Sequence, residues 1–248
     1  MSVVLRTAGL TRRYGTLTAV DRVDLSLHAG ARHAVIGPNG AGKTTLLHLL
    51  AGTLRPTAGR MELAGRDITR TVPAARAQRG IARTFQTPAL LDSLSALDNL
   101  VVAAWRRCGI HGRMPVGRHR ELAARCLHHL DTMGLAAVAD QNAGALAHGQ
   151  RRLLEIAVAV AGRPSVLLLD EPAAGLADTD LDQLVTVLHS LPAEVAVLLV
   201  EHDQDLVASI ATTVTVLHHG RILATDTPAR IHAHPAVAEI YPRVVGAT

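Results

Sequence analysis

The glycine-rich segment GPNGAGKTT carries the strongest chemical signal in this chain. It satisfies the pattern G-x-x-x-x-G-K-[ST], follows a short apolar run and opens a helical stretch. Glycines let the backbone curl so that successive N–H groups point into one hollow, and the helix N-terminus adds partial positive charge. The segment therefore predicts a phosphate-binding loop rather than a chance turn. Its residues are Gly37, Pro38, Asn39, Gly40, Ala41, Gly42, Lys43, Thr44 and Thr45.

Lys43 is the only lysine among the 25 lysine and arginine residues of the chain. A lysine ammonium is a slim point charge that fits between phosphate oxygens, where a planar guanidinium does not. We expect Lys43 to neutralise the β- and γ-phosphates of a nucleotide, and the Thr44 hydroxyl to ligate Mg²⁺.

Two carboxylates follow a second apolar run, in the segment SVLLLDEP. A buried strand would deliver Asp170 and Glu171 at its carboxyl end, where α/β sheets bind ligands. Asp170 suits the Mg²⁺ shell, and Glu171 suits the orientation and deprotonation of an attacking water. Taken alone, the pair also fits a helix cap. Because the chain also contains a phosphate loop, we favour the catalytic interpretation of this pair over the helix cap.

His202 follows the next apolar run, in the segment VEHD. A neutral imidazole at the same sheet edge would contact the γ-phosphate and sense its loss. A lone histidine usually has a structural role, so this expectation depends on its strand lying beside the strand that ends at Asp170.

Two weaker candidates lie outside these motifs. Gln86 ends the segment RTFQ after a short predicted strand, where its amide would reach Mg²⁺ or the attacking water. Tyr14 precedes the phosphate loop and offers an aromatic face to an adenine. Spacing alone supports neither assignment strongly.

Apolar runs alternate with amphipathic stretches, which predicts an α/β core with parallel strand pairing. Val23, Leu25 and Leu27 alternate with polar residues, as in a half-buried antiparallel strand. Helices are expected from about 42 to 54 and over most of 89–135, and two short ones are expected in the proline-punctuated tail. The predicted buried strands are Ala34–Ile36, Ser165–Asp170, Val195–Glu201 and Val214–Leu217.

Composition narrows the class of protein. A chain of 248 residues, 48% hydrophobic and 19% charged, buries a core and is not disordered. It has no apolar run near the roughly 18–20 residues of a membrane span and no secretory signal, so we expect a cytosolic protein. Cys108 and Cys126 predict free thiols. The net charge is +4, but aromatic residues make up only 2% and the arginines are scattered, which argues against nucleic acid as a partner.

Taken in order, these motifs resemble those of the ATP-binding subunits of ABC transporters, over nearly the whole chain from about Leu5 to Tyr241. GPNGAGKTT is similar to that family's phosphate loop, RTFQ to its glutamine loop and LAHGQRRLLEIA to its signature. VLLLDEP is similar to its second nucleotide motif, and VEHD to its switch histidine. The segments GIARTFQ, LLEIA and DEPAAGL, with a long helical insert, resemble the importers of branched-chain amino acids and related amides or urea in particular.

The resemblance implies an α/β fold with a P-loop NTPase (RecA-like) core, an antiparallel β subdomain and an α-helical signature subdomain. It implies one ABC ATPase domain over 1–248. The core with its β subdomain would span about 1–86 and 160–225, the helical subdomain about 87–159, and a C-terminal helical tail about 226–248.

The same resemblance implies ATP and Mg²⁺ as cofactors and assigns the site. Adenine would lie on Tyr14 and the phosphates within Gly37–Thr45. Mg²⁺ would lie near Thr44, Gln86 and Asp170, with Glu171 as base and His202 as switch; Lys43 and Gln86 would take part in catalysis.

The resemblance also implies partners. Residues of about 87–104 would meet the coupling helices of transmembrane permease subunits. A second ATPase subunit would face this chain head to tail, so that each ATP lies between one phosphate loop and the other signature. A solute-binding protein would act indirectly, and the chain would be peripheral, at the cytoplasmic face of the inner or plasma membrane.

The signature departs from the family pattern; its residues are Leu146, Ala147, His148, Gly149 and Gln150. Ala147 replaces a serine whose hydroxyl holds the γ-phosphate of the partner's ATP, and His148 replaces a glycine. Ala177 replaces the aspartate or asparagine of the loop that crosses the dimer. A hydrogen bond to a charged group is worth roughly 1.5–3 kcal/mol, so its loss would slow hydrolysis about tenfold or more. We interpret LAHGQ as a weakened clamp rather than a chance loop.

Other functions fit the residues less well. A soluble ABC ATPase of repair or translation usually carries a long coiled coil or two cassettes, whereas this chain has one cassette and no heptad run. A small-molecule P-loop kinase would need neither His202 nor LAHGQ. A non-catalytic regulatory subunit is disfavoured because Lys43, Asp170 and Glu171 are all present. The transported substrate, and whether the partner ATPase is a second copy or a paralogue, stay open.

Overall fold

The computed structural model describes residues 2–84, 89–107 and 116–240. Gln86 and Cys108, both singled out above, lie outside these described residues. In chain order the described strands are β1 (Val3–Tyr14), β2 (Leu17–Val23), β3 (Ser26–His28), β4 (Arg32–Ile36), β5 (Ala58–Leu63), β6 (Arg66–Asp67), β7 (Ile81–Arg83), β8 (Val166–Asp170), β9 (Ala196–Val200), β10 (Thr213–His218) and β11 (Arg221–Asp226).

The described α-helices pack around these strands. They are α1 (Lys43–Ala51), α2 (Pro73–Gln78), α3 (Ala96–Arg107), α4 (Val116–Thr132), α5 (His148–Ala161), α6 (Asp178–Ser190), α7 (Gln204–Ile210), α8 (Pro228–His232) and α9 (Pro235–Ile240). Within the described residues, every helix is too short or too polar to span a bilayer.

The larger sheet has the strand order β11-β10-β4-β9-β8-β7. Neighbouring strands from β10 to β7 run parallel, and only β11 is antiparallel to its neighbour. The predicted parallel α/β core is therefore confirmed, as is the expectation that the strand ending at Asp170 lies beside the strand that precedes His202. The sheet brings the carboxyl ends of its parallel strands to one edge.

Both faces of this sheet are buried, which explains why its strands are continuous apolar runs rather than alternating ones. Leu167 and Leu169 face a core shared with α3 to α7, whereas Val166 and Leu168 face a second core shared with α1 and the other sheet. All five residues of β8 and all five of β9 are buried. Such strands tolerate no shift in register, because a shift would exchange the two faces.

The smaller sheet is antiparallel, with the order β2-β1-β5-β6 and β3 paired to β1. The expected burial of Val23, Leu25 and Leu27 is confirmed. The prediction of one continuous strand through them was wrong, since β2 ends at Val23 and β3 begins at Ser26. The break follows Arg22, which has a left-handed φ of 50°.

The helix after the phosphate loop is shorter than expected. It ends at Ala51 rather than near residue 54, because the Gly52 N–H closes the last turn on the carbonyl oxygens of His48 and Leu49. In the region expected to be mostly helical, α3 and α4 are present, while the described residues 89–95 that precede α3 are not helical. The two short tail helices are confirmed, and each begins with a proline.

His33 is a buried histidine of β4. It is 4% exposed, and its Nε2 lies 2.8 Å from the hydroxyl of Thr215, which in turn bonds to the hydroxyl of Thr225. Burial lowers the pKa of His33 from 6.5 to about 4. The native chain therefore keeps His33 neutral at a pH where the unfolded chain protonates it.

This difference predicts a loss of stability in mild acid. The stabilising contribution is complete above pH 6.5 and is lost as the pH falls toward 4, because the unfolded state then binds the extra proton. Between pH 7 and pH 4 the free energy of unfolding of the wild type should fall by about 3 kcal/mol more than that of His33→Gln. Denaturant titrations at both pH values measure the difference. Equal losses in the two proteins would contradict this account.

Candidate functional site

The carboxyl ends of β4, β8 and β9 assemble the site. Val35 of β4 and Asp170 of β8 both pair with Val200 of β9. The phosphate loop starts one residue after β4, Glu171 follows β8 directly, and His202 lies two residues beyond β9. Three segments far apart in the chain therefore emerge side by side from one sheet edge.

The phosphate loop is tightly folded against its surroundings. Gly42 has a φ of 103°, and a Cβ at this position would collide with the carbonyl oxygen of Ala19, so only glycine fits. Lys43, the first residue of α1, is 8% exposed. Its Nζ donates to the carbonyl oxygens of Gly37 (2.7 Å) and Pro38 (3.1 Å). The ammonium is thus held within the loop, over the hollow that the sequence predicts for phosphates.

The Lys43 ammonium also interacts electrostatically with the carboxylates of Glu171 and Asp170. Burial lowers the pKa of Lys43, and the negative charges of Glu171 and Asp170 counteract part of that shift. The Lys43 ammonium therefore interacts with two carboxylates at this sheet edge.

Asp170 is fully buried at the end of β8. Its Oδ2 accepts a hydrogen bond from the Arg83 guanidinium at 3.0 Å, and its Oδ1 is buried without a hydrogen-bond partner among the described residues. The same guanidinium lies 3.4 Å from Nε2 of His48 in α1. Burial and the Arg83 charge lower the pKa of His48. The sequence did not indicate this role of Arg83, which ends β7 three residues before Gln86.

Glu171 adopts an uncommon backbone conformation. Its φ is 46°, in the left-handed region that non-glycine residues rarely enter, and its N–H donates to Val200 at 2.9 Å. Such strain persists only where surrounding bonds determine the conformation, and it is often found at functional positions. The backbone bond to β9 is one of these determinants.

Glu201 was not predicted from the sequence, although it immediately precedes His202 in the segment VEHD. Its side chain is fully buried and accepts hydrogen bonds from the N–H groups of Ala173 (2.9 Å) and His202 (3.1 Å). Burial raises the pKa of Glu201, and these N–H donors act in the opposite direction. Glu201 therefore ties the segment after Glu171 to the start of the segment that carries His202.

The His202 side chain is 69% exposed, and its Nδ1 lies 3.7 Å from Oε2 of Glu201. The exposed ring is available to a ligand or another molecule above the sheet edge. Its backbone N–H, in contrast, is anchored in the interior.

Tyr14 is the last residue of β1 and is 45% exposed. Arg12 lies over its ring, with Cζ 4.4 Å from the centroid, and donates to the carbonyl oxygen of Arg55. This contact holds the ring in place and leaves it half-exposed for stacking. The expected position of Gln86 falls outside the described residues.

The signature lies at the start of a long helix. Ala147 is the N-cap of α5 and its N–H donates to Oε1 of Gln150 at 3.1 Å. This bond is half of a capping box; the other half needs a side-chain oxygen, which alanine lacks. Leu146 is buried, whereas Ala147 and His148 are exposed. A Cβ on Gly149 would collide with the Asp180 carboxylate, so the helix start fits closely against α6.

Comparisons with known proteins agree with this geometry. The family model for ABC transporters matches residues 20–174. The chain is 39% identical to the high-affinity branched-chain amino acid transport ATP-binding protein BraF of Pseudomonas aeruginosa, over 96% of this chain and 97% of that protein. It is 36% identical to the high-affinity branched-chain amino acid transport ATP-binding protein LivG of Escherichia coli, with the same coverage.

A solved structure of an ATP-binding cassette has a similar fold. The crystal structure of the ADP conformation of an ATP-binding cassette of an ABC transporter has a TM-score of 0.83 to this chain and 30% identity, covering 98% of this chain and all of that one. This likeness confirms the fold that the resemblance implied. Together with the family model and the relatives, it shows that the chain belongs to the ABC transporter family, as an ATP-binding subunit and transport ATPase.

Proposed function

We propose that this chain hydrolyses ATP at the edge of the parallel sheet and thereby powers import of branched-chain amino acids or similar solutes. The observation that carries the proposal is the convergence of Lys43, Asp170, Glu171 and His202 from three separate segments onto that edge. The names of BraF and LivG supply the class of solute.

The proposed division of labour follows from charge and placement. The ammonium of Lys43 leaves the carbonyl oxygens of its own loop and neutralises the β- and γ-phosphates, which Gly37–Thr45 enclose with backbone N–H groups. Glu171 orients the attacking water and accepts its proton. His202, with its exposed ring, contacts the γ-phosphate and reports its loss. Gln86, which immediately precedes the proposed permease-facing segment in the sequence, is proposed to reach Mg²⁺ or the attacking water.

The residues fit a magnesium ion. The buried and unpartnered Oδ1 of Asp170 is a hard anionic oxygen of the kind that Mg²⁺ prefers, and Thr44 and Gln86 would supply neutral oxygens. Held by these residues, the ion would supply positive charge that offsets the negative charge of the phosphates during hydrolysis. Arg83 holds the other oxygen of Asp170 in a fixed position.

We propose that adenine stacks on Tyr14. Arg12 lies 4.4 Å from the ring centroid, which suits a layered arrangement of guanidinium, phenol and base.

A second ATPase subunit is proposed to complete each site. Ala147 and His148 are exposed at the start of α5, where free helix N–H groups attract phosphate, so they suit contact with a nucleotide held by another chain. The exposed Ala177 lies at the start of α6 and suits the same interface.

The remaining partners and the location follow from the family. Residues of about 87–104 are proposed to bind transmembrane permease subunits, and a solute-binding protein acts through those subunits. The chain is accordingly proposed to be peripheral, at the cytoplasmic face of the membrane, with no nucleic acid as partner.

We keep the proposed division into a core with β subdomain (about 1–86 and 160–225), a helical subdomain (about 87–159) and a tail (about 226–248). Mutual packing of α3, α4 and α5 supports the middle unit.

The general-base assignment is tested by Glu171→Gln. The rate of ATP hydrolysis should fall by at least about 100-fold while ATP binding is retained, because the amide cannot accept the proton of the water. Glu194→Gln is the matched control, since Glu194 is exposed just before β9 at the opposite sheet edge. A Glu171→Gln variant that hydrolyses ATP at the wild-type rate would overturn the assignment.

The same variant tests pairing through the signature. Since hydrolysis cannot reopen the dimer, we expect Glu171→Gln to shift from monomer to dimer on size-exclusion chromatography when Mg-ATP is added. An ATP-bound monomer at all concentrations would contradict self-pairing and would point to a paralogous partner.

Ala147→Ser should repair the clamp. The new hydroxyl supplies the missing half of the capping box and a donor to the partner's γ-phosphate, so ATP hydrolysis by the dimer should rise by up to about tenfold. The control is Ala145→Ser, an equally small change at an exposed position two residues earlier. An unchanged rate in a dimer with a raised Tm would show that the serine acts only as a helix cap.

A further inference from the structure

One buried guanidinium grips the backbone on both sides of Glu171. Arg152 of α5 is 4% exposed. It donates to the carbonyl oxygens of Asp170 (2.8 Å), Glu171 (2.9 Å) and Pro172 (3.1 Å), and to Oε2 of Glu155 (2.8 Å). Three consecutive carbonyl groups at the end of β8 thus turn toward a single side chain.

These bonds are strong for a physical reason. A guanidinium presents several N–H donors in a fixed planar fork, and its hydrogen bonds to carbonyl oxygens are charge-assisted. Glu155, also buried, balances the charge from one turn further along α5. Removing the guanidinium would take a charged donor from three consecutive carbonyl groups, at the point where Glu171 holds its left-handed φ of 46°.

Arg152 projects from the helix that starts with the signature, one turn after His148. The same helix contacts the segment after Glu171 at one more point, since His148 Nε2 lies 3.4 Å from the carbonyl oxygen of Ala174. Next to it, Gly149 fits against Asp180 of α6. The signature and Arg152 therefore belong to the start of one helix, and both contact residues that follow β8.

The segment is fixed on its other side by β9. The Glu171 N–H donates to Val200, and the Ala173 N–H donates to the Glu201 carboxylate. The residues that follow Asp170 therefore lie between α5 and the end of β9, bonded to both.

We propose that Arg152 is a positioning residue for Glu171, and that it makes the placement of this chain's base depend on the helix that binds the partner's nucleotide. When the signature of this chain binds the partner's nucleotide tightly, Glu171 of the same chain would be held in position for its own site. When the signature binds loosely, Glu171 would be misplaced. The inference rests on the proposed function, because it takes Glu171 to be the base and the signature to act on another chain's ATP.

The test replaces Arg152 by Gln and by Lys in the full-length chain. Arg151→Gln is the matched control, because the adjacent guanidinium bonds to Ala143 and Asp92 instead. We expect Arg152→Gln to retain the ATP Kd within about twofold and KM nearly unchanged, while kcat falls about 10- to 100-fold. Arg152→Lys should recover part of the loss, since an ammonium still donates to carbonyl oxygens.

Hydrogen–deuterium exchange supplies a readout that does not depend on turnover. Amides of the peptide covering 170–177 should exchange faster in Arg152→Gln than in the wild type and Arg151→Gln. If Arg152→Gln does not fold, as judged by its Tm, Glu155→Gln takes its place. That variant leaves the Arg152 guanidinium in place and removes the negative charge of Glu155 beside it, so a smaller fall in kcat is expected.

The outcomes separate the two levels of the account. Wild-type kcat and wild-type exchange in Arg152→Gln, with Glu171→Gln inactive, would overturn the positioning role and leave the proposed function intact. A loss of ATP binding in parallel with kcat would also overturn it, because the effect would then be general. Undiminished hydrolysis in Glu171→Gln would instead overturn the proposed function.

Discussion

The parallel pairing of β4, β9 and β8 is the constraint on which the rest of this structure depends. These strands are buried on both faces, so a slip of one residue would exchange the side chains that pack in the two cores. The register puts Val35 and Asp170 on either side of Val200. Once that register is fixed, Gly37–Thr45, the Asp170–Glu171 pair and His202 must emerge at the same sheet edge. The relative positions of the site residues therefore follow from the packing of this sheet.

A set of buried charges then refines the positions that the sheet supplies. Arg83 holds Asp170, Arg152 holds the carbonyl groups around Glu171, and Glu201 holds the N–H groups on the far side of the same segment. Buried charges are costly, and they persist where each is satisfied by several hydrogen bonds. Here Arg152 and Glu201 hold backbone groups, and Arg83 holds a side-chain carboxylate. These bonds explain how Glu171 keeps its left-handed backbone conformation at the sheet edge.

The convergence of Lys43, Asp170 and Glu171 on one sheet edge could be predicted from the sequence, because each lies in a strong local pattern. Lys43 lies in a glycine-rich loop between a strand and a helix, and Asp170 and Glu171 end an apolar strand. The supporting residues could not be found this way. Arg83 and Arg152 reach partners 87 and 18 residues away, respectively, and nothing in their own neighbourhoods indicates the contact. The same limit applies to Val23–Leu27, where burial was predicted and the break in the strand was not.

The central claim, that this sheet edge binds ATP through Lys43, is tested most directly by calorimetric titration of the full-length chain with Mg-ATP. The account predicts one nucleotide bound per chain, and an affinity at least about tenfold weaker in Lys43→Ala, because a charged hydrogen bond to phosphate is lost. Arg163→Gln, which removes an exposed positive charge after α5, should bind as the wild type does. Equal affinity in Lys43→Ala and wild type, or no binding by either, would contradict it.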